Sequence, residues 1–344
     1  DSNNIGVLIN GVPVNDMESG RGDWSNWAGL SDVTRTMQVQ RGLGASKLAI
    51  SSVGGTINIL TQTTDAEAGG SIYQGIGNNG YSKTSFSLST GLLDNGWAVS
   101  LSGSRTTGDG YVEATPFDAY SYFFNISKRI NTQHSLSFTG FGAPQTHSQR
   151  SSMHPINFYR QHENGTRANT DYGYRNGEIY STGYAFNKYH KPQFMLNHHW
   201  QVNDFTNLST ALYSSFGEGY GRRVDGDNDK WLEFQYPSGK PYEETQLTAE
   251  GLLDYDAVID ANASSLTGST AIMTNGYNSH DWYGLLSSLN TAIGQTQITA
   301  GVDGRYYIGY HYTEIEDLLG GEYFLDNSDV NRDPGTPLYK GDKI

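Results

Sequence analysis

From Gly69 onward, apolar and polar side chains alternate with period two. In the stretch Tyr81–Leu93 the positions Thr84, Phe86, Leu88, Thr90 and Leu92 share one face, and Lys83, Ser85, Ser87 and Ser89 share the other. Trp97, Val99 and Leu101 alternate with Ala98, Ser100 and Ser102, and Tyr120, Tyr122, Phe124 and Ile126 oppose Ser121, Asn125 and Ser127. The pattern continues through Leu136/Phe138, Phe194/Leu196/Trp200, Leu208/Leu212/Phe216, Tyr283/Leu285/Leu289 and Ile298/Val302/Tyr306/Ile308. Period two predicts β-strands, each near the roughly 10 residues that a tilted bilayer-spanning strand needs. One face is oily and the other small and polar. Soluble antiparallel sheets also alternate, so the connections decide. Leu93–Gly96, Ile130–Gln133, Val202–Asp204 and Ile293–Gln295 are brief, whereas 145–190, about 220–280 and 311–344 are long and rich in Tyr, Asn and Asp. Strict alternation of turn and long loop is the pattern of short periplasmic turns and long outer loops in a transmembrane β-barrel. The pattern predicts roughly nine strands; single-chain bacterial barrels close with an even number. Sequence beyond Ile344 is therefore expected to complete the wall, and this stretch alone is expected to leave two open sheet edges and to be unstable in isolation.

The first 61 residues have another texture. VLINGVPVND (residues 7–16) reads as a strand, an Asn10-Gly11 hairpin turn and a second strand with Pro13 near its start. MQVQRGLGASKLAISSVGGTINILT (residues 37–61) reads as two β runs, Met37–Gln40 and Thr56–Thr61, joined by a segment too rich in Gly and Ser for a helix. Val39, Ile57, Ile59 and Leu60 give these runs apolar weight, and Asn58 interrupts it.

These pieces resemble the second half of the plug domain of TonB-dependent outer-membrane receptors. That family carries a strand with a D/N-G-V-P-V turn, a V-x-R-G run, and G-G-x-I-N-I-x-T just before its barrel. Here they are Val7–Asp16, Val39–Ser46 and Gly54–Thr61, in the same order, and the spelling is most similar to receptors of Bacteroidetes-type bacteria. The resemblance implies an all-β fold: a plug (residues 1–66 being its C-terminal part) inside a transmembrane antiparallel β-barrel. Residues 67–344 would be the first part of that barrel, which has about 22 strands in such plugged transporters. It further implies residence in the outer membrane of a Gram-negative bacterium and active import of a scarce ligand: siderophore, cobalamin, glycan or peptide. The expected partners are outer-membrane lipid and the TonB–ExbB–ExbD complex, reached through an N-terminal box preceding Asp1. Two other readings stay open: a secreted all-β glycan-binding module, and a receptor-like barrel acting as a structural subunit beside a lipoprotein or other envelope partner.

Composition narrows the picture. The 344 residues include 42 Gly and 24 Tyr but only 17% charged residues, which suits many short strands and tight turns. Mean hydropathy of −0.56 and the lack of a long apolar run exclude a transmembrane helix but not a membrane barrel. A net charge of −14 argues against nucleic acid. With no cysteine there are no disulfides, thiolate metal sites or Cys nucleophiles. No catalytic constellation is legible, so the expectation is that the protein is not an enzyme.

Candidate chemistry lies in the loops and the plug. Trp24 and Trp27 fall in a Gly/Ser-rich segment that, by the resemblance, approaches the extracellular mouth; they are placed to touch ligand or to pack the plug against the wall. The loop at 145–190 holds Arg150, Arg160, Tyr159, Tyr172 and Tyr174, a cationic aromatic surface suited to an anionic or ring-bearing ligand. Its arginines serve equally well to offset the acidic loops across the mouth. Asp225, Asp227 and Asp229, and again Asp329, Asn331 and Asp333, stand at the 1, 3, 5 spacing that points oxygens at one calcium ion. Lys230 and Tyr236 depart from the EF-hand pattern, and a plain solvated acidic loop is the alternative. By resemblance, Arg41 in the V-x-R-G run latches the plug to barrel carboxylates. The nine histidines are scattered without ligand spacing.

Overall fold

Asn10 (φ +50°) and Gly11 (φ +80°) make the tight turn between β1 (Ile5–Ile9) and β2 (Val12–Pro13), both in the left-handed region that such a turn requires. The structure is a computed structural model that describes residues 4–42, 54–61, 66–226, 252–327 and 329–344. Two further strands, β3 (Thr34–Arg41) and β4 (Gly55–Thr61), complete a four-stranded sheet in the order β2-β1-β4-β3. Pro13 sits on the edge strand, where its missing N–H costs no ladder bond. β1 and β4 run parallel, with Val7 opposite Ile57 and Ile9 opposite Ile59. Asn58, the polar break in an apolar run, is nearly buried and has a purpose: its Oδ1 accepts from Gly11 N at 3.1 Å and its Nδ2 donates to Gln38 at 3.2 Å. Asn10 Oδ1 in turn accepts from Thr61 N at 2.9 Å, so the hairpin turn is pinned to β4 by side chains from both.

The second sheet is an antiparallel meander. It comprises β5 (Gly69–Ile76), β6 (Ser82–Ser89), β7 (Trp97–Gly108), β8 (Phe117–Arg129) and β9 (His134–Gly142), extended by β10 (Gln145–Ser148). After an outer loop holding helix α1 (Ile156–Gln161) and the small hairpin β11 (Gly173–Arg175) and β12 (Glu178–Tyr180) come β13 (Phe186–His190) and β14 (Gln193–Asn203). The wall continues with β15 (Thr206–Gly226) and, past β16 (Leu253–Asp254) and helix α2 (Tyr255–Ala263), with β17 (Ala271–Ile293) and β18 (Thr296–Asp317). A last short pair, β19 (Phe324–Leu325) and β20 (Pro337–Leu338), follows. β10 continues β9, and β13 continues into β14, past Pro144 and Pro192, which lack the N–H that an unbroken ladder uses. Taken so, the wall has the nine expected crossings, each paired with its sequence neighbours, and β5 and β18 form its two free edges. The short turns fall at Leu93–Gly96, Ile130–Gln133, Asp204–Phe205 and Gly294–Gln295, where the sequence places them.

The oily face points away from the plug. Leu88 is 54% exposed, Leu212 51%, Val302 65% and Ile72 85%, with no second sheet over them. On β17 the outward apolar run from Tyr283 to Ile293 has the length that a tilted strand needs to cross hydrocarbon. Two expectations need correction. First, β15, β17 and β18 have 21, 23 and 22 residues, twice the expected length, because their outer halves continue past the oily outward run and absorb much of what composition marks as loop. Second, the inner face is not uniformly small and polar. Phe123, Phe141, Met195, Tyr213 and Trp282 point inward and form one core with Val7, Ile9, Val12, Val14, Leu30 and Ile59 of the plug. An all-polar wall would leave the plug's apolar residues nothing to bury against.

Plug and wall approach closely at Gly29 (φ +78°), where an added Cβ would lie 2.6 Å from Ser121 Cβ. Gly29→Val is expected to weaken plug docking by about 1–3 kcal/mol, measured as faster tryptic cleavage at Arg21 in the folded full-length protein. Leu212→Arg places a charge at mid-wall on the lipid face and is expected to cost about 2–4 kcal/mol in denaturant unfolding from lipid vesicles. A cost within error for Leu212→Arg would mean that this face does not meet hydrocarbon.

Candidate ligand cleft above the plug

The plug loop between β2 and β3 is held rigidly enough to present side chains. Asn15 Oδ1 accepts from Val7 N at 2.6 Å, and its Nδ2 donates to Ile5 O and Gly20 O. Asp16 Oδ1 accepts from the amides of Ser19 (2.8 Å) and Glu18 (3.2 Å) and from the Ser19 hydroxyl (2.8 Å). Burial works to raise the Asp16 carboxyl, but these hydrogen bonds and the Lys191 ammonium at 3.8 Å outweigh it and hold the group below its ordinary range.

This loop floors a cleft of about 530 Å³ on the long-loop side, walled by the inner faces of β10, β13, β17 and β18. Three carboxylates from the floor, Asp16, Glu18 and Asp23, share it with Arg21 and Lys191. The wall adds His147, His280 and His311, the amides of Gln145, Asn187 and Asn278, and the rings of Tyr189 and Tyr307. His311 bridges floor and wall: its Nε2 is 2.9 Å from Glu18 Oε1, and its Nδ1 is 2.7 Å from Asn278 Oδ1. Cationic and anionic groups are interleaved, so the cleft offers donors and acceptors without a strong field of either sign. Among the described residues no three His, Asp or Glu side chains converge on a point that could hold a metal ion.

The two tryptophans differ in burial, and neither lines this cleft. Trp27 packs against the plug core, whereas Trp24 is 51% exposed, with its ring edge-on to Trp27 at 6.4 Å. In the outer loop, Arg150 donates to Thr166 O (3.0 Å) and Ala168 O (2.8 Å) and lies over the Tyr159 ring at 5.0 Å, which staples the loop to itself. Arg160 is exposed at the end of α1, Tyr172 is buried, and Tyr174 stands half-buried beside it at 6.2 Å. None of these loop residues lines the cleft. Basic residues do offset acidic ones across the mouth: Arg175 meets Asp317 at 2.9 Å and Arg222 meets Glu316 at 3.1 Å.

Arg41 ends β3 as an exposed residue; the plug–wall ion pairs seen among the described residues are Lys83–Asp32 at 2.6 Å, Lys191–Asp16 and His311–Glu18. Asp227 and Asp229 lie outside the described residues. Asp225 accepts from Gly226 N and lies 3.8 Å from Arg223. In the second acidic turn Asp329 accepts from Asn331 N, and Arg332, anchored to Asp326 at 3.0 Å, brings its guanidinium within 3.8 Å. Asp333 caps its own turn through its carbonyl, which accepts from Thr336. The cleft residues that sequence reasoning passed over, the histidines above all, had a usable signal. His280 and His311 occupy inward positions of β17 and β18, opposite in parity to Tyr283 and Tyr306.

No protein-family model matches the sequence, and no curated protein matches it. Solved structures do. The ferric-catecholate import receptor Fiu from Escherichia coli K12, in its open form, superposes with a TM-score of 0.60 at 12% identity over 99% of this chain and 46% of that one. The ferric citrate transporter FecA gives 0.60 at 13% identity, covering 92% of this chain and 40% of that one. The ferripyoverdine receptor of Pseudomonas aeruginosa, bound to ferripyoverdine, gives 0.56 at 10% identity over 97% and 41%. The chain thus has the plug-and-barrel fold of TonB-dependent outer-membrane receptors, and it spans less than half the length of these structures.

Because the folded Asp16 carboxyl lies below its unfolded value, its contribution is complete above the unfolded pKa and is lost as pH falls through the folded one. Anchoring of the loop, followed by the fluorescence of Trp24 and Trp27, is expected to be flat from neutrality to about pH 4 and to decline below it. Asp16→Asn is expected to start lower and to remove that acid limb.

Proposed function

We propose that this chain is part of an outer-membrane importer that binds its ligand in the cleft between the plug loop and the outer halves of β10, β13, β17 and β18. The observation that carries the reading is the placement of a polar cleft directly on top of an apolar plug, inside a wall whose other face is oily. A soluble glycan-binding module has no use for that outer face, which in it would cover a second sheet. The two free edges at β5 and β18 call for further strands to close the wall, because lipid cannot satisfy an open sheet edge.

Import past a plug that fills the lumen needs work done on the plug. The TonB–ExbB–ExbD complex is the proposed source, with Arg41 and its barrel partners as one latch. A lipoprotein lid or another envelope protein is a further candidate partner on the outer face. The interleaved charges of the cleft favour a polar ligand that hydrogen-bonds through neutral groups, such as a glycan or peptide, over a strongly anionic iron chelate.

Uptake by cells carrying the full-length protein is expected to stop when TonB is absent; uptake that persists would overturn the reading, and a stoichiometric envelope partner without any uptake would favour a structural role. Tyr189→Ala is expected to weaken ligand binding about tenfold, in the range of an aromatic contact lining the cleft. Trp27→Ala is expected to lower plug stability instead and to leave affinity changed less.

A further inference from the structure

The membrane-facing side of the wall carries a cluster that import does not use. On the outward faces of β7, β8, β9 and β14, close to the short turns, stand Trp97, Lys128, His134, His198 and Trp200. The ladder brings them together: Trp97 lies opposite Lys128, Lys128 opposite Leu136, Leu136 opposite His198, and His134 opposite Trp200. With neighbouring strands about 4.8 Å apart, the backbones of Lys128 and His198 are about 10 Å apart across Leu136. The Lys128 ammonium sits 4.9 Å from the Trp97 ring centroid and donates to Asn95 O at 2.6 Å, which leaves the rest of its donors free. His134 Nδ1 and His198 Nε2 are 3.1 Å apart, and the rings stack with centroids 5.3 Å apart. Trp200 stacks on His134, also at 5.3 Å. In either tautomer one ring N–H is spent between the two imidazoles, and the neutral pair keeps one N–H for another acceptor.

A charge on the lipid face is costly at mid-membrane but tolerated at headgroup depth. Proximity to the turns puts this cluster at that depth: Leu136 stands at its own level, exposed Ile126 and Phe138 lie one step toward mid-wall, and the water-exposed turn carboxylates Asp94 and Asp204 lie on the other side. An aromatic girdle alone would need neither an ammonium nor a pair of imidazoles. We propose that this row is a phospholipid site: Lys128 and the free imidazole N–H hold the phosphodiester of an anionic phospholipid of the periplasmic leaflet, and its acyl chains run up over Leu136 and Phe138. The site rests on the membrane orientation given above.

The test is native mass spectrometry of the full-length protein, delipidated in detergent and offered phosphatidylglycerol or diacylglycerol. The wild type is expected to retain phosphatidylglycerol at least about fivefold better, and the combined Lys128→Gln, His134→Gln, His198→Gln variant to retain both lipids equally. Equal retention by the wild type, or unchanged retention of phosphatidylglycerol by the variant, would overturn the site. Faster gel migration of unboiled samples shows that the variant is folded; should it not fold, Lys128→Gln alone carries the same comparison. A wild type that shows no such heat-dependent migration would sink the barrel orientation itself, a failure distinct from loss of lipid selectivity.

Discussion

Backbone amides and carbonyls of an extended strand need a neighbouring strand to bond with, and the layout of the described wall follows from how that demand is met. The wall answers it with an antiparallel ladder, interrupted at Pro144 and Pro192, in which each crossing pairs with the next in sequence. Once the ladder is imposed, side chains can only point out or in. Outward positions are free to be Leu, Val, Ile or Phe, and inward ones have to suit a plug and a water-filled path. The period-two texture is thus a consequence of backbone hydrogen bonding, not a separate property of the sequence.

The plug is attached by two kinds of contact that differ in how they give way. Its apolar residues and the inward Phe123, Phe141, Met195, Tyr213 and Trp282 form a single core, which is non-directional and yields gradually as area is uncovered. The ion pairs Lys83–Asp32 and Lys191–Asp16 are directional and only part-buried. Breaking one partner away leaves a charge that water can reach, so each adds little to the hold compared with a fully buried pair. Close approach at Gly29, where the serines of β7 and β8 leave no room for a Cβ, fixes where the plug sits.

The strands, the turns and the outward faces were legible because each depends on local pattern. Alternation names the strand, Asn10-Gly11 or Leu93–Gly96 names the turn, and the lengths of connections orient the whole. What escaped was anything that depends on which inward residues meet. His147, His280 and His311 are far apart in sequence and look scattered; the ladder register carries them to one cleft. Arg150 and Tyr159 of the 145–190 loop, near in sequence and chemically suggestive, hold the loop to itself. Asn58 shows the same lesson on a small scale: it reads as a defect in a strand until Gly11 and Gln38 are seen on either side of it.

The outer mouth is better built than loop composition suggests. β11 pairs with β16 in parallel, so the two longest loops share one small sheet. Asn262 of α2 donates to Ala271 O at 2.8 Å, Leu318 O at 3.2 Å and Leu319 O at 2.9 Å, tying the helix to the tops of β17 and β18. Tyr255, wholly buried and edge-on to Tyr180 at 5.0 Å, closes the core between them, and its burial pushes the phenol pKa up. A rim braced this way keeps the upper halves of β15, β17 and β18 in fixed register. Since β17 and β18 wall the cleft, the same bracing holds their side chains in place. The plug loop is seated against that wall by Val14, Leu30 and Trp27 in the shared core as well as by the Asp16–Lys191 pair.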